Sequence, residues 1–249
     1  MTLVGNMPRF FVDSVSGNTI SIRGNDAYHI GRSLRMRIGD IITVCADRVE
    51  YRAKILSISD KEVVCDVLSA EKSENEPTVN VVLYQALPKS DKMDLIVQKA
   101  VELGVYKIVP VITARCVSRP AKSGYEKRVE RYNKIALEAA KQSGRGIVPT
   151  VSEFMTINEV IEKSKEFDLF FVPYECEEQK TLKEILTSKS DVKSVGFVIG
   201  PEGGFDLSET EKLHSSGIDT VTLGKRILRT ETAGEAVLAM TMYEIGYIK

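Results

Sequence analysis

Two short segments near the C-terminus hold the residues whose types and spacing are best suited to bind a ligand and act on it. One is Phe197–Phe205, which contains Gly200-Pro201-Glu202-Gly203-Gly204, and the other is Leu223–Ala233, which contains two arginines and a Thr-Glu-Thr run. Each pattern predicts a buried strand, then a loop, then a helix. Ligands of open α/β sheets bind at the carboxyl ends of strands, so the two segments together indicate a binding site.

The first loop, residues 200–204 (the glycine loop), does not have the pattern of a phosphate-binding loop. Glu202 stands where the second glycine of GxGxxG belongs, and no Gly-Lys-Ser/Thr follows as in a Walker A loop. A carboxylate repels phosphate, so the loop favours a neutral or cationic ligand. Gly203 and Gly204 permit a close approach of the backbone. A tight glycine-rich turn without a ligand is an equally good interpretation of this loop alone.

The second loop, residues 223–229 (the arginine loop), combines apolar and cationic side chains. Ile227 and Leu228 either tuck into the domain or line a pocket for a flat apolar group such as adenine. Arg229 keeps its proton at physiological pH and is therefore able to stabilise an anion that develops on a substrate. A salt bridge is the alternative for this arginine. Thr230 is expected to cap the final helix.

The elements that position these loops follow from hydrophobic periodicity. Strands alternate with helices after residue 78, which predicts a parallel α/β sheet. The predicted strands are 79–87, 107–112, 168–172, 195–199 and 220–223, and the predicted helices are 91–103, 125–143, 157–164, 182–186, 208–215 and 231–246. Ser208-Glu209-Thr210-Glu211 is a capping-box pattern.

The first 70 residues have a different character. Five short β-branched segments, bounded by Gly, Asn or Asp, predict a small barrel. One short helix is expected near 27–34, with Asp26 as its cap. The polar run Glu71–Pro77 predicts a linker.

Composition excludes several classes of protein and leaves one partner class open. No stretch of 18 apolar residues exists, and the N-terminus lacks a signal-peptide core, so we expect a cytoplasmic protein that does not enter the membrane. The four cysteines are too scattered for a zinc site, and we expect no metal. Residues 113–149 hold nine lysines and arginines against three acidic residues, whereas 150–219 hold seven lysines against fifteen. Such segregation permits a basic face for a polyanion, although each run alone is typical of a solvated helix face.

Five motifs, in the same order along the chain, resemble those of the RsmE family, the 16S rRNA uridine-N3 methyltransferases of the SPOUT class. They are Pro8-Arg9-Phe10-Phe11; Ser33-Leu34-Arg35 with Ile38-Gly39-Asp40; Gln85-Ala86-Leu87-Pro88-Lys89 with Gln98–Val105; Gln142-Ser143-Gly144-Arg145 with Pro149; and the two C-terminal loops. The chain departs from the family at Ser90, where a glycine is usual, and in the hairpin Cys45–Glu50, which lacks a glycine-rich turn.

The resemblance implies a fold and a cofactor. It implies a PUA-like β-barrel domain that binds RNA (1–70), a linker (71–77) and a SPOUT α/β trefoil-knot domain with a parallel sheet (78–249). S-adenosyl-L-methionine is the implied cofactor, and Glu202 would tolerate its cationic groups. The implied cofactor-binding residues are Val172, Pro173, Gly200, Glu202, Gly203, Leu223, Gly224, Ile227, Leu228 and Thr232.

The implied reaction is methylation of N3 of uridine 1498 in the 16S rRNA of the 30S subunit, by a homodimer. Arg229 would stabilise the uridine anion, and Glu231 would orient Arg229 or accept the proton. The residues implied to contact RNA are Arg9, Arg23, Arg35, Lys89, Arg115, Arg119 and Arg145. Two alternatives stay open: a SPOUT methyltransferase with another RNA target, and a non-catalytic RNA-binding or assembly factor. The sequence does not decide whether the last helix is core or dimer interface.

Overall fold

The computed structural model of the chain describes residues 7–246, which divide into two compact units. The first unit runs up to Glu76 and includes Ala140–Val148, and the second comprises Pro77–Ala139 and the chain from Pro149 onward. Residues 1–6 and 247–249 lie outside the described part. The first six residues begin the predicted β-barrel domain and form most of the N-terminal segment for which no signal peptide was predicted, and the last three end the predicted methyltransferase domain.

The first unit is built on a five-stranded sheet with the order β1-β3-β4-β5-β2. Its strands are β1 (Arg9–Phe11), β2 (Thr19–Arg23), β3 (Ile41–Ala46), β4 (Val49–Ile58) and β5 (Glu62–Lys72). The pairings of β4 with β3 and β5, and of β2 with β5, are antiparallel, whereas β1 runs parallel to β3. In β2, Ile20 and Ile22 are buried while their neighbours are exposed, which is the alternation of a strand with one face on a core.

Two predictions for the first unit were wrong in detail. The expected helix at 27–34 is a short α1 (Asn25–Tyr28) followed by a π-helical turn at 29–33. Asp26 does not cap α1, because it lies inside the first turn and Gly24, which has no side chain, occupies the N-cap position. The Asp26 carboxylate accepts a hydrogen bond from Lys141 at 2.8 Å. The expected linker begins too early, since β5 continues to Lys72 and the buried Ser73 donates a hydrogen bond to Glu50 at 2.6 Å.

The second unit is a parallel seven-stranded sheet with the order β12-β10-β11-β6-β7-β8, in which β9 also pairs with β7. Its strands are β6 (Asn80–Ala86), β7 (Lys107–Ile112), β8 (Thr150–Val151), β9 (Met155–Thr156), β10 (Leu169–Pro173), β11 (Ser194–Ile199) and β12 (Asp219–Val221). Residues 81–86 of β6 and 195–199 of β11 are all buried, as expected for central strands covered on both faces.

Six α-helices accompany this sheet. They are α2 (Lys92–Glu102), α3 (Tyr125–Ser143), α4 (Ile157–Ser164), α5 (Leu182–Leu186), α6 (Leu207–Ser215) and α7 (Thr230–Thr241). The last turn of α3 belongs to the first unit. The capping box of α6 consists of Asp206 and Glu209, so the prediction of a box starting at Ser208 was displaced by two residues. The predicted last helix is divided into α7 and a π-helical turn at 242–246.

Candidate active site

The two loops meet at one edge of the second unit because of the strand order. The glycine loop follows β11 and the arginine loop follows β12, and β10 lies between these two strands in the sheet. All three strands are parallel, so their carboxyl ends face the same edge. The two loops therefore begin at the same edge of the sheet, where the sequence predicted a binding site.

A cavity of about 350 Å³ opens between the two loops, and a smaller one of about 100 Å³ adjoins it. The two cavities share the lining residues Pro173, Glu175, Ile227, Leu228 and Ala233. Most of the predicted cofactor residues line one or both: Pro173, Gly200, Glu202, Leu223, Gly224, Ile227 and Leu228. The pair forms a continuous concave surface at the strand ends.

Three of the predicted cofactor residues do not line these cavities. Val172 is 1% exposed and belongs to the hydrophobic core. The carbonyl oxygen of Gly203 accepts a hydrogen bond from Arg115 at 3.1 Å. Thr232 is exposed in the first turn of α7. Neither cavity therefore supports a cofactor contact by Val172, Gly203 or Thr232.

Lys92, in the first turn of α2, connects the glycine loop electrostatically to the first turn of α7. Its ammonium lies 3.3 Å from the Glu202 carboxylate and 3.1 Å from that of Glu231. Glu202 also accepts hydrogen bonds from the backbone N–H of Lys89, at 3.1 and 3.3 Å. Nothing in the sequence marked Lys92, because its partners lie more than a hundred residues away along the chain.

Both carboxylates bound by Lys92 are held in their ionised form. Burial acts to raise the pKa of Glu202, but backbone N–H groups and Lys92 outweigh it, so the pKa lies below its ordinary value. The pKa of Glu231 is lowered in the same way, with a smaller contribution from Arg229. The hydrogen bond of Glu231 goes to Lys92, so the negative charges of Glu202 and Glu231 are largely committed to this lysine.

Glu175 is a second residue that sequence reasoning missed. It follows β10, is exposed, and lines both cavities. Within residues 7–246 its carboxylate takes part in no hydrogen bond or ion pair. A Cβ on Gly204 would lie 2.8 Å from Glu175 Oε1, and Gly204 has a φ of +66°. The positive φ favours glycine at residue 204, and a larger residue there would displace the Glu175 carboxylate from its present position.

Arg229 and Thr230 begin α7 beside the larger cavity. Arg229 is exposed, lines that cavity and occupies the N-cap position without a side-chain cap. Thr230 does not cap the helix as predicted, since its hydroxyl donates to the carbonyl oxygen of Gly200 at 2.6 Å and accepts from Nε2 of Gln85 at 2.9 Å. The cation that we expect to do chemistry thus faces the cavity.

The predicted RNA-binding arginines of the first unit fall into two groups. Arg145 is 3% exposed and forms a bidentate ion pair with Glu76, so it offers no cation to a phosphate and its assignment is corrected to a structural one. The Arg9 side chain is 14% exposed and binds Glu50 at 2.9 Å, which argues against it in the same way. Arg23 and Arg35 are exposed, and Arg23 pairs with a glutamate on β5 at 2.8 Å.

In the second unit, Lys89, Arg115 and Arg119 are exposed. Arg115 lies against the glycine loop through the carbonyl oxygen of Gly203 and is 3.5 Å from Asp206. The Arg119 guanidinium donates to backbone carbonyls of its own loop, at 2.9 and 3.2 Å among others. Arg119 therefore braces the turn after β7, whereas the Arg115 guanidinium contacts the glycine loop directly.

The part of the chain that the structure describes contains neither a metal-binding cluster nor a membrane-spanning helix. Between residues 7 and 246, no cluster of three or more histidine, cysteine, aspartate or glutamate side chains is arranged to hold a metal ion. Over the same residues, no helix has the length and apolar character needed to cross a membrane. Three cysteine thiols are buried, and that of Cys176 is exposed.

Two family models match the chain. One, described as an RNA methyltransferase domain, matches residues 74–242, and the other, described as an RNA methyltransferase PUA domain, matches residues 22–68. The ribosomal RNA small subunit methyltransferase E of Bacillus subtilis (strain 168) is 34% identical over 253 residues, which cover 98% of this chain and 99% of the relative.

Solved structures resemble the chain over nearly its whole length. Ribosomal RNA small subunit methyltransferase E from Neisseria gonorrhoeae, bound to S-adenosyl methionine, has a TM-score of 0.85 at 32% identity, covering 95% of this chain and 97% of that one. A methyltransferase from Legionella pneumophila with bound cofactor SAM has a TM-score of 0.86 at 26% identity, covering 97% and 99%. The chain belongs to the RsmE family of ribosomal RNA small subunit methyltransferases, with a PUA-like first unit followed by a SPOUT methyltransferase fold.

Proposed function

We propose that this protein uses S-adenosyl-L-methionine to methylate N3 of uridine 1498 in the 16S rRNA of the 30S subunit, in the cytoplasm where that subunit is assembled. The observation that carries the proposal is the cavity between the loops, which is lined by the exposed Arg229 and by the carboxylate of Glu175. One of these charges suits a cationic methyl donor, and the other suits an acceptor that becomes anionic.

The residues of the cavity suit the cofactor, which supplies an electrophilic methyl group on a positively charged sulfur. Main-chain groups of the glycine loop and of the arginine loop hold its adenine and ribose, with Ile227 and Leu228 as the apolar wall. Glu175 balances its positive charge, because the Glu202 carboxylate is already bound by Lys92. The bound cofactors of the relatives from Neisseria gonorrhoeae and Legionella pneumophila support this assignment.

Arg229 is the residue we assign to the chemical step. The imide N3–H of uridine must lose its proton, which passes to solvent water, before N3 attacks a methyl group, and the resulting negative charge spreads over O2 and O4. A guanidinium beside these oxygens stabilises that charge. Since a carboxylate with a lowered pKa is a weak base, Glu231 is better suited to orient the site through Lys92 than to accept the proton.

We further propose that the exposed cations contact the phosphates of the RNA and that the protein acts as a homodimer. The phosphate contacts are assigned to Arg23, Arg35, Lys89, Arg115 and Arg119. The apolar residues of the last helix divide between core and surface: Val237 and Leu238 are fully buried, whereas Met240 is 42% and Tyr243 88% exposed. An exposed apolar face of this kind supports the dimer interface that the sequence left undecided.

The decisive experiment maps modified nucleosides of 16S rRNA from cells with and without this protein. We expect N3-methyluridine at position 1498 to disappear with the protein, and its persistence would refute the proposal. Loss of a different methylated nucleoside would favour a SPOUT enzyme with another target. If calorimetry detects no binding of S-adenosylmethionine, the non-catalytic RNA-binding factor becomes the better interpretation.

A variant and a salt series test the assigned roles. Arg229→Ala should bind the cofactor with an affinity within a few-fold of the wild type while methyl transfer falls below detection; unchanged turnover would contradict its role. Binding to the small subunit should weaken steeply between low and moderate salt, because phosphate contacts release counterions. A flat salt response would argue against the basic residues as RNA contacts.

A further inference from the structure

A buried glutamine lies at the end of β6, beside the end of β11 that leads into the glycine loop. Gln85 is 0% exposed, and its Nε2 donates to the Thr230 hydroxyl at 2.9 Å and to a backbone carbonyl at 3.0 Å. Its Oε1 has no hydrogen-bonding partner among the described residues. An unpaired buried oxygen destabilises a fold, so packing alone would favour an apolar side chain here.

Thr230 extends this contact to the glycine loop. Its hydroxyl accepts the hydrogen bond from Gln85 and donates its own hydrogen to the carbonyl oxygen of Gly200, at 2.6 Å. Thr230 is 6% exposed, so water does not compete strongly for these bonds. One hydroxyl thus joins β6, the glycine loop and the start of α7, three segments that are far apart in the chain.

The start of α7 approaches β6 closely at Gly234. A Cβ on Gly234 would lie 3.3 Å from Gln85 Oε1 and 3.8 Å from Ile199. The absence of a side chain there lets the helix come near enough for Thr230 to reach both of its partners. Arg229 immediately precedes Thr230, so the backbone from which the Arg229 side chain enters the cavity is held by the same two hydrogen bonds.

We propose that Gln85 and Thr230 are positioning residues for methyl transfer: the hydrogen-bond chain Gln85–Thr230–Gly200 sets the position of Arg229 relative to the glycine loop. The proposal rests on the proposed function, because it assumes that Arg229 stabilises the uridine anion. A displacement of about 1 Å in a catalytic group lowers a rate by roughly 100-fold, so the effect of losing the chain falls on the chemical step.

The test compares two substitutions at one position. Thr230→Val keeps the shape of the side chain and removes the hydroxyl, whereas Thr230→Ser keeps the hydroxyl. With saturating cofactor and 30S subunits, we expect kcat to fall about 100-fold in T230V and to stay within about threefold of wild type in T230S. The Kd for S-adenosylmethionine, measured by calorimetry, should change less than about fivefold in either variant, which also shows that both fold.

A second pair of measurements separates positioning from stability. Gln85→Met should slow turnover in the same way. The Q85M/T230V double variant should be no slower than T230V, because either substitution alone already breaks the hydrogen-bond chain Gln85–Thr230–Gly200. Val160→Ala, on the buried face of α4, is the control: it lowers stability by creating a cavity and should leave kcat unchanged.

Three results would overturn the inference. They are wild-type turnover in T230V, a T230S variant as slow as T230V, and a V160A variant that loses kcat to the same extent as T230V. An inactive wild-type protein would instead refute the proposed function itself, so the two failures are distinguishable.

Discussion

Replacing Arg145 by methionine should destabilise the first unit strongly while leaving the affinity for RNA almost unchanged per folded molecule. The sequence predicted a phosphate contact for this arginine. In the structure its guanidinium donates to both oxygens of Glu76, at 2.9 and 2.8 Å, and each side chain is 4% exposed. The two interpretations therefore predict different results: loss of a phosphate contact would weaken RNA binding, whereas loss of a buried ion pair would lower the free energy of unfolding.

The magnitude follows from what remains after the substitution. Glu76 keeps hydrogen bonds from the backbone N–H groups of Gly146 and Ile147, at 2.7 and 3.3 Å, but its charge loses its buried counter-ion. Removing one partner of a buried ion pair costs about 3–5 kcal/mol. With a urea dependence of about 2 kcal/mol per M, the midpoint of the corresponding transition falls by roughly 2 M.

Urea titration followed by circular dichroism measures this shift. Arg23→Met is the matched control, because the Arg23 side chain is 76% exposed in its pair with Glu62 and such pairs contribute at most about 1 kcal/mol. The E76Q/R145M double variant should lose less than the sum of the two single variants, since neither charge is then left alone. An R145M protein with wild-type stability and weakened RNA binding would refute this reasoning and restore the phosphate contact.

Three further outcomes are expected. Lys92→Met should slow methyl transfer at least about tenfold in kinetic assays, because it frees the carboxylates of Glu202 and Glu231 beside the developing anion; wild-type kinetics would contradict this. Hydrogen bonds lower the pKa of Glu177 from 4.5 to about 2, so its stabilisation is complete above pH 4.5 and lost as the pH falls towards 2. The urea unfolding midpoint of the Glu177→Gln variant should therefore vary less with pH in that range than the midpoint of the wild type. An equal loss of stability in both proteins as the pH falls would argue against this contribution of Glu177. Mass spectrometry after brief alkylation should find Cys176 modified before the two buried thiols of the first unit, whose pKa burial raises to about 11; equal labelling would contradict the burial.

Hydrophobic periodicity predicted the helices and strands of the second unit best where tertiary packing and the local capping residues indicate the same bounds. The bounds of β7, α3 and α4 match the prediction, because each has a clear apolar pattern and a distinct stop. The start of α7 was placed one residue late for a tertiary reason. Thr230 has the chemistry of an N-cap, but its hydroxyl is used by Gly200, a partner thirty residues away.

The charged residues show why the site was only partly predictable. Arg229 and the two loops, which line one cavity in the structure, could be proposed from sequence because loop composition alone marks them. Lys92 and Glu175 were missed, since their significance depends on which strand ends meet in the sheet. Arg145 was misassigned because arginine is usually exposed, and its buried partner Glu76 lies in a segment whose polar composition is typical of a linker.

The pairing of Glu202 with Lys92 changes the argument about the ligand that the glycine loop accepts. From sequence, Glu202 was the counter-charge for a cationic cofactor. Its carboxylate instead fixes the loop through Lys92 and the N–H of Lys89. The preference for a cation then rests on Glu175, which reaches both cavities, and the preference for a developing anion rests on Arg229. The proposed transfer joins a cationic donor to an acceptor that becomes anionic and yields two neutral groups. A cavity with one such carboxylate and one guanidinium therefore stabilises the reactants more than the products, which favours release after transfer.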